Sequence, residues 1–185
     1  MSVKKISKND ILNEIRNQIT TADYSPEKVI SGVKFIELEN HILEEGDLSE
    51  IIRVNSRGFV EQVPHFKLAQ INRVRQIPDS IKAWHLHYNQ DEIWYVAPSE
   101  DLFVGLWDIR KNSETANLSM RLTLGGGKSM LLYIPRGIAH GSANFSQNPA
   151  DLYSVVNRTF DLKKPDEMRL PWDSLGEEFW QPLKD

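Results

Sequence analysis

His85-Leu86-His87-Tyr88-Asn89-Gln90-Asp91-Glu92 is answered further along the chain by Pro135-Arg136-Gly137-Ile138-Ala139-His140-Gly141-Ser142-Ala143-Asn144. In an extended strand successive side chains alternate between faces, so residues two apart point the same way. His85 and His87 therefore project together. The Pro-x-Gly-x-x-His turn delivers a third imidazole, His140, from a neighbouring strand. Glu92 lies at an odd separation from His87. On one uninterrupted strand its carboxylate would face away from the histidines, so an inward Glu92 requires a bend or a change of strand.

Outside these stretches the chain reads as one globular domain. Its 185 residues suit a single core, with 40% hydrophobic residues to fill it and an ordinary 26% charged. A formal net charge of −4 argues against a nucleic-acid surface. There is no cysteine, which excludes disulfides, thiolate ligands and cysteine nucleophiles. No run approaches the ~20 apolar residues of a membrane span. Met1-Ser2-Val3-Lys4-Lys5 is not followed by an apolar targeting segment. The expected setting is the cytoplasm, with neither nucleic acid nor membrane as partner.

The N-terminal part has a different texture from the rest. Ser7-Lys8-Asn9-Asp10 looks like a capping box, and Ile11, Leu12, Ile15 and Ile19 follow at helical spacing. These predict a helical extension, residues 1–32, packed on the barrel or on a second subunit. Residues 33–185 form the second unit. Short β-like runs over 81–88, 92–97, 102–109, 118–124, 129–134 and 152–160 are each bounded by Pro, Gly, Asn, Asp or Ser, which predicts a sandwich or barrel. The tail beyond Lys163, punctuated by Pro165, Pro171 and Pro182, is expected to be extended or short-helical. Gly125-Gly126-Gly127-Lys128-Ser129 is not a phosphate loop, because that motif needs glycine where Leu122 stands. It reads as a turn at a barrel corner.

The paired histidine stretches resemble the two signature motifs of the cupin superfamily, His-x-His-x4-Glu and Pro-x-Gly-x2-His-x3-Asn, with Ser99 where a glycine usually follows the first. The resemblance implies an all-β fold, a cupin double-stranded β-helix (jelly-roll-like barrel) with a site inside. A closer likeness runs from about residue 53 to 182. Asn55-Ser56-Arg57-Gly58-Phe59, Gln70-Ile71-Asn72, Leu86-His87-Tyr88, Trp107-Asp108-Ile109-Arg110-Lys111-Asn112-Ser113, Ile134-Pro135-Arg136-Gly137-Ile138-Ala139-His140-Gly141, Leu152-Tyr153 and Trp172-Asp173 come in one order. In that order they resemble the nucleotide-diphosphate 4-keto-sugar 3,5-epimerases, typified by dTDP-4-dehydrorhamnose 3,5-epimerase.

That resemblance implies a metal-free epimerase acting at C3, C5 or both of a nucleotide-diphosphate sugar during glycan synthesis, and a barrel of this size is expected to pair as a homodimer through edge strands and swapped N-terminal arms. It implies His87 as base, Asp173 as the carboxylate orienting it, and Tyr153 as the acid that reprotonates the opposite face. Gln70, Asn72, His85 and His140 would line the pocket, and Arg57 and Arg73 would hold the diphosphate. Histidine suits the base because its pKa is close to neutral. The sequence departs from the family at two places. An arginine expected three residues before the catalytic histidine is Trp84, and a lysine expected shortly after it is replaced by Asp91 or Glu92. The same changes complete a metal-binding pattern. One alternative is therefore a metal-dependent cupin enzyme, a dioxygenase or isomerase, with His85, His87, Glu92 and His140 holding one divalent transition metal. The other is a non-catalytic sugar-binding cupin.

Overall fold

The computed structural model describes residues 5–183. One sheet places β1 (Lys34–Glu37), β9 (Met130–Ile134), β6 (Glu92–Val96), β11 (Ala150–Val156) and β4 (Gln70–Gln76) side by side. The other runs β12 (Met168–Arg169), β5 (Ser80–Leu86), β10 (Ile138–Asn144), β7 (Asp101–Asp108) and β8 (Ser119–Gly125). A separate hairpin joins β2 (Asn40–Leu43) and β3 (Gly46–Ser49). All pairings are antiparallel, so hairpins and sheet-to-sheet crossings build the barrel without crossover helices.

Strand alternation divides the side chains into an interior and two outer coats. The interior holds Val96, Val104, Leu106, Leu132 and Leu152, among others. Outside the first sheet, Ile93, Tyr95, Leu131 and Val155 are covered by Val60, Val63 and Phe66 of the long loop before β4. Outside the second, Trp84, Ala139 and Ala143 are covered by Phe179 and Trp180, which a 3-10 turn at Glu177–Trp180 brings back onto the sheet. Along β4 the inward positions turn polar, with Gln70 and Asn72 following the same face as Val74, and Ser154 does the same on β11. That change of residue type keeps one end of the barrel open as a cavity.

The helical extension is not formed as the spacing predicted. The capping box does close: the Ser7 amide donates to Asp10 Oδ2 at 2.8 Å. Helix, however, is confined to a 3-10 turn at Lys8–Asp10 and a single turn, α1 (Asn13–Arg16). Residues 1–4 of the predicted extension lie outside the described residues. Short helices are marginal unless tertiary packing buries one face. Here Leu12 is 63% exposed and Ile19 49%, so nothing among the described residues covers that face. Among the described residues the arm meets the barrel at Ile30, which is buried, and at Ser31, whose carbonyl accepts from Arg110 Nη2 at 2.6 Å. Arg110 is itself fixed by the buried Asp108 carboxylate, which also accepts from Ser113 and Thr115. The Asp-x-Arg-x-x-Ser pattern of the sequence is thus a brace for the hairpin that docks the arm.

The triple glycine is a corner between β8 and β9. Gly125 has φ +79, and a side chain there would bring its Cβ within 2.1 Å of the Glu100 carbonyl oxygen. No L-residue fits that position.

Candidate active site

β5 delivers His85 and, just past its end, His87. The chain then bends through Tyr88–Asp91 and crosses to the other sheet, where Glu92 opens β6. This change of strand resolves the odd spacing, and Glu92 points inward. His140 comes from β10, directly opposite His85 in the antiparallel register.

Two buried contacts fix the turn that makes this possible. The Gly137 amide donates to the His87 carbonyl at 2.8 Å. The buried Asp91 carboxylate takes the Arg136 amide, Nε and Nη2 at 2.9, 2.9 and 3.0 Å. Asn157, at the end of β11, joins the same carboxylate at 3.1 Å and receives the Asp91 amide at 2.9 Å. Gly137 itself has φ +82, the left-handed conformation that the Pro-x-Gly turn needs. Asn144, which ends the second motif, is structural: it donates to the main-chain carbonyls of Gln76 and Asn148.

At the floor of the cavity Glu92 is the hub. Its Oε1 accepts from His87 Nε2 at 2.9 Å and from Gln90 Nε2 at 2.9 Å. Its Oε2 accepts from Ser154 at 3.1 Å and from the Trp94 indole N–H, and lies 3.8 Å from His140 Nε2. Burial alone would raise this carboxyl's pKa. The hydrogen bonds from His87 and Trp94 and the charge of His87 outweigh burial and hold it well below the usual carboxylate range.

The two histidines differ in what their ring nitrogens face. His87 Nε2 faces the ionised Glu92, and its Nδ1 faces the main-chain oxygen of Asp166. Both partners accept, so both ring nitrogens must donate and His87 is an imidazolium. Burial opposes that charge, but the Glu92 hydrogen bond and charge prevail and raise its pKa. His140 Nδ1 donates to the Ile138 carbonyl at 2.9 Å, which leaves the lone pair on Nε2. Burial lowers its pKa, so this ring is neutral. Burial also lowers His85, to about 4, despite Glu167 at 3.7 Å from its Nδ1.

The cavity above this floor has a volume of about 940 Å³ and takes in Gln70, Asn72, His85, His87 and His140 of the expected site. Four expected residues stand elsewhere. Tyr153 lies between the inward Leu152 and Ser154 and so faces out, packing on Tyr95 and 38% exposed. Asp173 is exposed in the tail, and Glu92 and the Asp166 carbonyl occupy the ring nitrogens it was expected to orient. Arg73, on the outer face of β4, is paired with Asp151 at 2.7 Å. Arg57 sits on an exposed turn away from the cavity lining. Trp84 faces the outer aromatic coat, 4.8 Å from Trp180 between ring centroids.

Sequence reasoning passed over Ser154, although it lies two positions from the inward Leu152 on its strand. It also passed over Asp166 and Glu167, which reach the site by a long excursion that no local pattern marks.

A two-sheet antiparallel barrel with imidazoles and a carboxylate buried at one end is a cupin. The profile of the family described as dTDP-4-dehydrorhamnose 3,5-epimerase matches residues 27–176, and the chain belongs to that family. It is accordingly an epimerase. Among curated relatives, the spore coat polysaccharide biosynthesis protein SpsL of Bacillus subtilis (strain 168) is 32% identical over 145 residues, 78% of this chain and 91% of its own. The probable low-salt glycan biosynthesis epimerase Agl13 of Haloferax volcanii is 28% identical over 96 residues, 52% of this chain and 62% of its own. Among solved structures, the dTDP sugar isomerase of Desulfovibrio desulfuricans G20 superposes with a TM-score of 0.67 at 24% identity, covering 79% of this chain and 88% of that one. At that identity the match speaks for the fold.

Proposed function

We propose that the protein epimerises the 4-keto sugar of a nucleotide diphosphate, at C3, C5 or both, for a surface polysaccharide or related glycan, with His140 as the base. The relatives' names support the glycan setting. The observation that carries the assignment of the base is the tautomer of His140: Nδ1–H is spent on Ile138, and Nε2 is a free lone pair at the cavity floor.

A C–H bond beside a ketone yields its proton when a base is within reach and the electron pair can pass to the carbonyl oxygen. In this reading His140 Nε2 takes the proton and the pair moves onto the C4 oxygen as an enolate. The imidazolium so formed lies 3.8 Å from the Glu92 carboxylate, which stabilises it. His87, already protonated, keeps Glu92 ionised and in place. Return of a proton to the opposite face inverts the centre, and return to the same face restores it. Deuterium exchange and inversion are therefore separable readouts.

Incubation in D₂O with 4-keto sugar nucleotides is expected to place deuterium at C3 or C5. His140→Asn is expected to abolish that exchange, while His87→Asn slows it. Exchange retained in His140→Asn and lost in His87→Asn would return the base to His87. Failure of every sugar nucleotide to exchange or bind would end the reading. The same reading takes the enzyme as a cytoplasmic homodimer that uses no metal.

One arrangement favours a second reading. Ligand atoms of His87, Glu92 and His140 all lie within 4.8 Å of one another, and both histidines present Nε2 while Nδ1 faces a main-chain carbonyl. That is how metal-ligating histidines are commonly oriented. The donor set fits a first-row divalent ion, with His85 outside the group, and such an ion would stabilise an enolate oxygen as a Lewis acid. Elemental analysis of protein purified without chelator decides the matter: about one Zn, Fe, Mn or Ni per chain, lost in His140→Ala, would establish this second reading.

A further inference from the structure

We infer that His85 is the hydrogen-bond donor to the C4 oxygen of the keto sugar, and so a catalytic residue beside His140. The inference rests on the epimerase reading above and supplies the partner that the enolate oxygen needs.

Taking a proton from the carbon beside a ketone turns the C–H electron pair into a C–C double bond and moves the carbonyl π pair onto oxygen. The negative charge that gathers there is stabilised best by a donor already in place. The floor of the cavity has few donors to spare. His87 spends both ring nitrogens, on Glu92 and on the Asp166 carbonyl. Gln90, Trp94 and Ser154 donate to the same Glu92 carboxylate. Gln70 donates to Asn72 Oδ1 at 2.6 Å. Arg158 and Lys164, which also line the cavity, are exposed on the segment that follows β11.

His85 differs from its neighbours. Its side chain is only 22% exposed and lines the cavity, yet neither ring nitrogen makes a hydrogen bond among the described residues. Glu167 Oε1 lies 3.7 Å from Nδ1, beyond hydrogen-bond reach, and is itself taken by Arg169. The ring N–H is therefore left for a ligand. Its position suits the reaction. His85 and His140 are direct partners in the antiparallel pairing of β5 with β10, and their ring centroids are 6.2 Å apart. Two rings at that separation can serve one enolisation, the base meeting the carbon at ~3 Å and the donor meeting the oxygen two bonds away at ~2.9 Å. Asn72 also keeps an uncommitted amide N–H among the described residues, but it stands on β4, two strands along from Glu92 in the opposite sheet.

In the step, His140 Nε2 gains the proton and the electron pair ends on the C4 oxygen. The His85 N–H tightens onto that oxygen without giving up its own proton. Return of a proton to carbon sends the pair back and relaxes the bond. An imidazole needs no charge to polarise a carbonyl in this way.

Deuterium wash-in and steady-state kinetics with a 4-keto sugar nucleotide test this on the whole chain. His85→Leu is expected to lower kcat and the exchange rate together by about 100-fold, the loss typical of one oxyanion donor, with KM within about threefold. His85→Phe, which keeps the ring without the N–H, should match it, and His85→Gln, which restores an N–H, should recover about tenfold of the loss. Infrared difference spectra of substrate labelled with ¹³C at C4 add a readout that needs no turnover. With substrate bound to His140→Asn, the carbonyl stretch is expected to move to higher frequency when His85→Leu is added. An unchanged kcat and carbonyl stretch in the His85 variants, or a raised KM with kcat intact, would overturn the inference, as would a kcat loss found in Asn72→Leu instead. A wild type that exchanges no 4-keto sugar nucleotide would remove the epimerase reading itself. Circular dichroism of each variant separates lost chemistry from lost folding.

Discussion

A carboxylate surrounded by the donors of His87, Gln90, Trp94 and Ser154 has little left to offer a substrate, so Glu92 acts through the histidines on either side of it. The rate should show this as a function of pH. His140 must be unprotonated to accept, and burial displaces its pKa below the ordinary 6.5, so the acid limb of kcat/KM is expected below 6.5. His87 must keep its proton, and Glu92 raises its pKa against the effect of burial, so the alkaline limb is expected above 6.5. Glu92→Gln removes the charge that separates the two limbs. The expected result is a loss of about 100-fold in kcat with the alkaline limb moved toward acid. A variant profile superimposable on the wild type would show that Glu92 sets neither pKa. Tyr153 and Asp173 make a sharper residue-level test, because neither lines the cavity. Tyr153→Phe and Asp173→Asn are each expected to keep exchange and inversion within about threefold of wild type, measured by NMR in D₂O. Loss of inversion with retained exchange in Tyr153→Phe would mean that its ring swings inward during turnover.

At the scale of elements, the site depends on one bend and one clamp. The bend through Tyr88–Asp91 carries Glu92 across to the first sheet, and the clamp of Arg136 and Asn157 on buried Asp91 fixes it there. Replacing Asp91 by alanine strands two or more donors in a partly buried place. The expected cost is about 1–3 kcal/mol, discounted from a fully buried pair because Arg136 is half-exposed. Urea unfolding should register it as a lower midpoint with an unchanged slope. An unchanged midpoint would show that the turn holds without the clamp. These elements also show what a sequence can reveal. The pairing of His85 with His87, the His140 turn and most strands were legible because alternation and turn residues are local signals. The helical spacing from Ser7 to Ile19 did not become a long helix, because no surface among the described residues buries its apolar face. Asp166 was illegible for a different reason. It reaches His87 through its main-chain oxygen, which any residue type could supply.

Across the whole molecule, exposed apolar side chains stand on the arm, on the β2–β3 hairpin at Ile42 and Leu48, and at one sheet edge. Leu12 and Tyr24 of the arm are 63% and 92% exposed. β4 closes the first sheet with a free edge of seven residues that exposes Ile71 at 57%. An edge of that length with an exposed isoleucine and no proline is a template for pairing with another chain. Part of the edge is guarded by charge, since Arg73 and Arg75 alternate with the inward residues. A partner must therefore bring both apolar side chains and hydrogen-bonding backbone, which a second copy's arm contains. Light scattering at several concentrations is expected to give twice the chain mass of 21.3 kDa. Ile71→Asp combined with Tyr24→Ser is expected to give the monomeric mass while preserving the far-ultraviolet β spectrum. The cavity is lined within one chain, so nucleotide binding by that monomer should persist. A wild type that runs as a monomer at every concentration would remove the homodimer. A folded monomeric variant that has lost all nucleotide binding would show instead that the second chain completes the site.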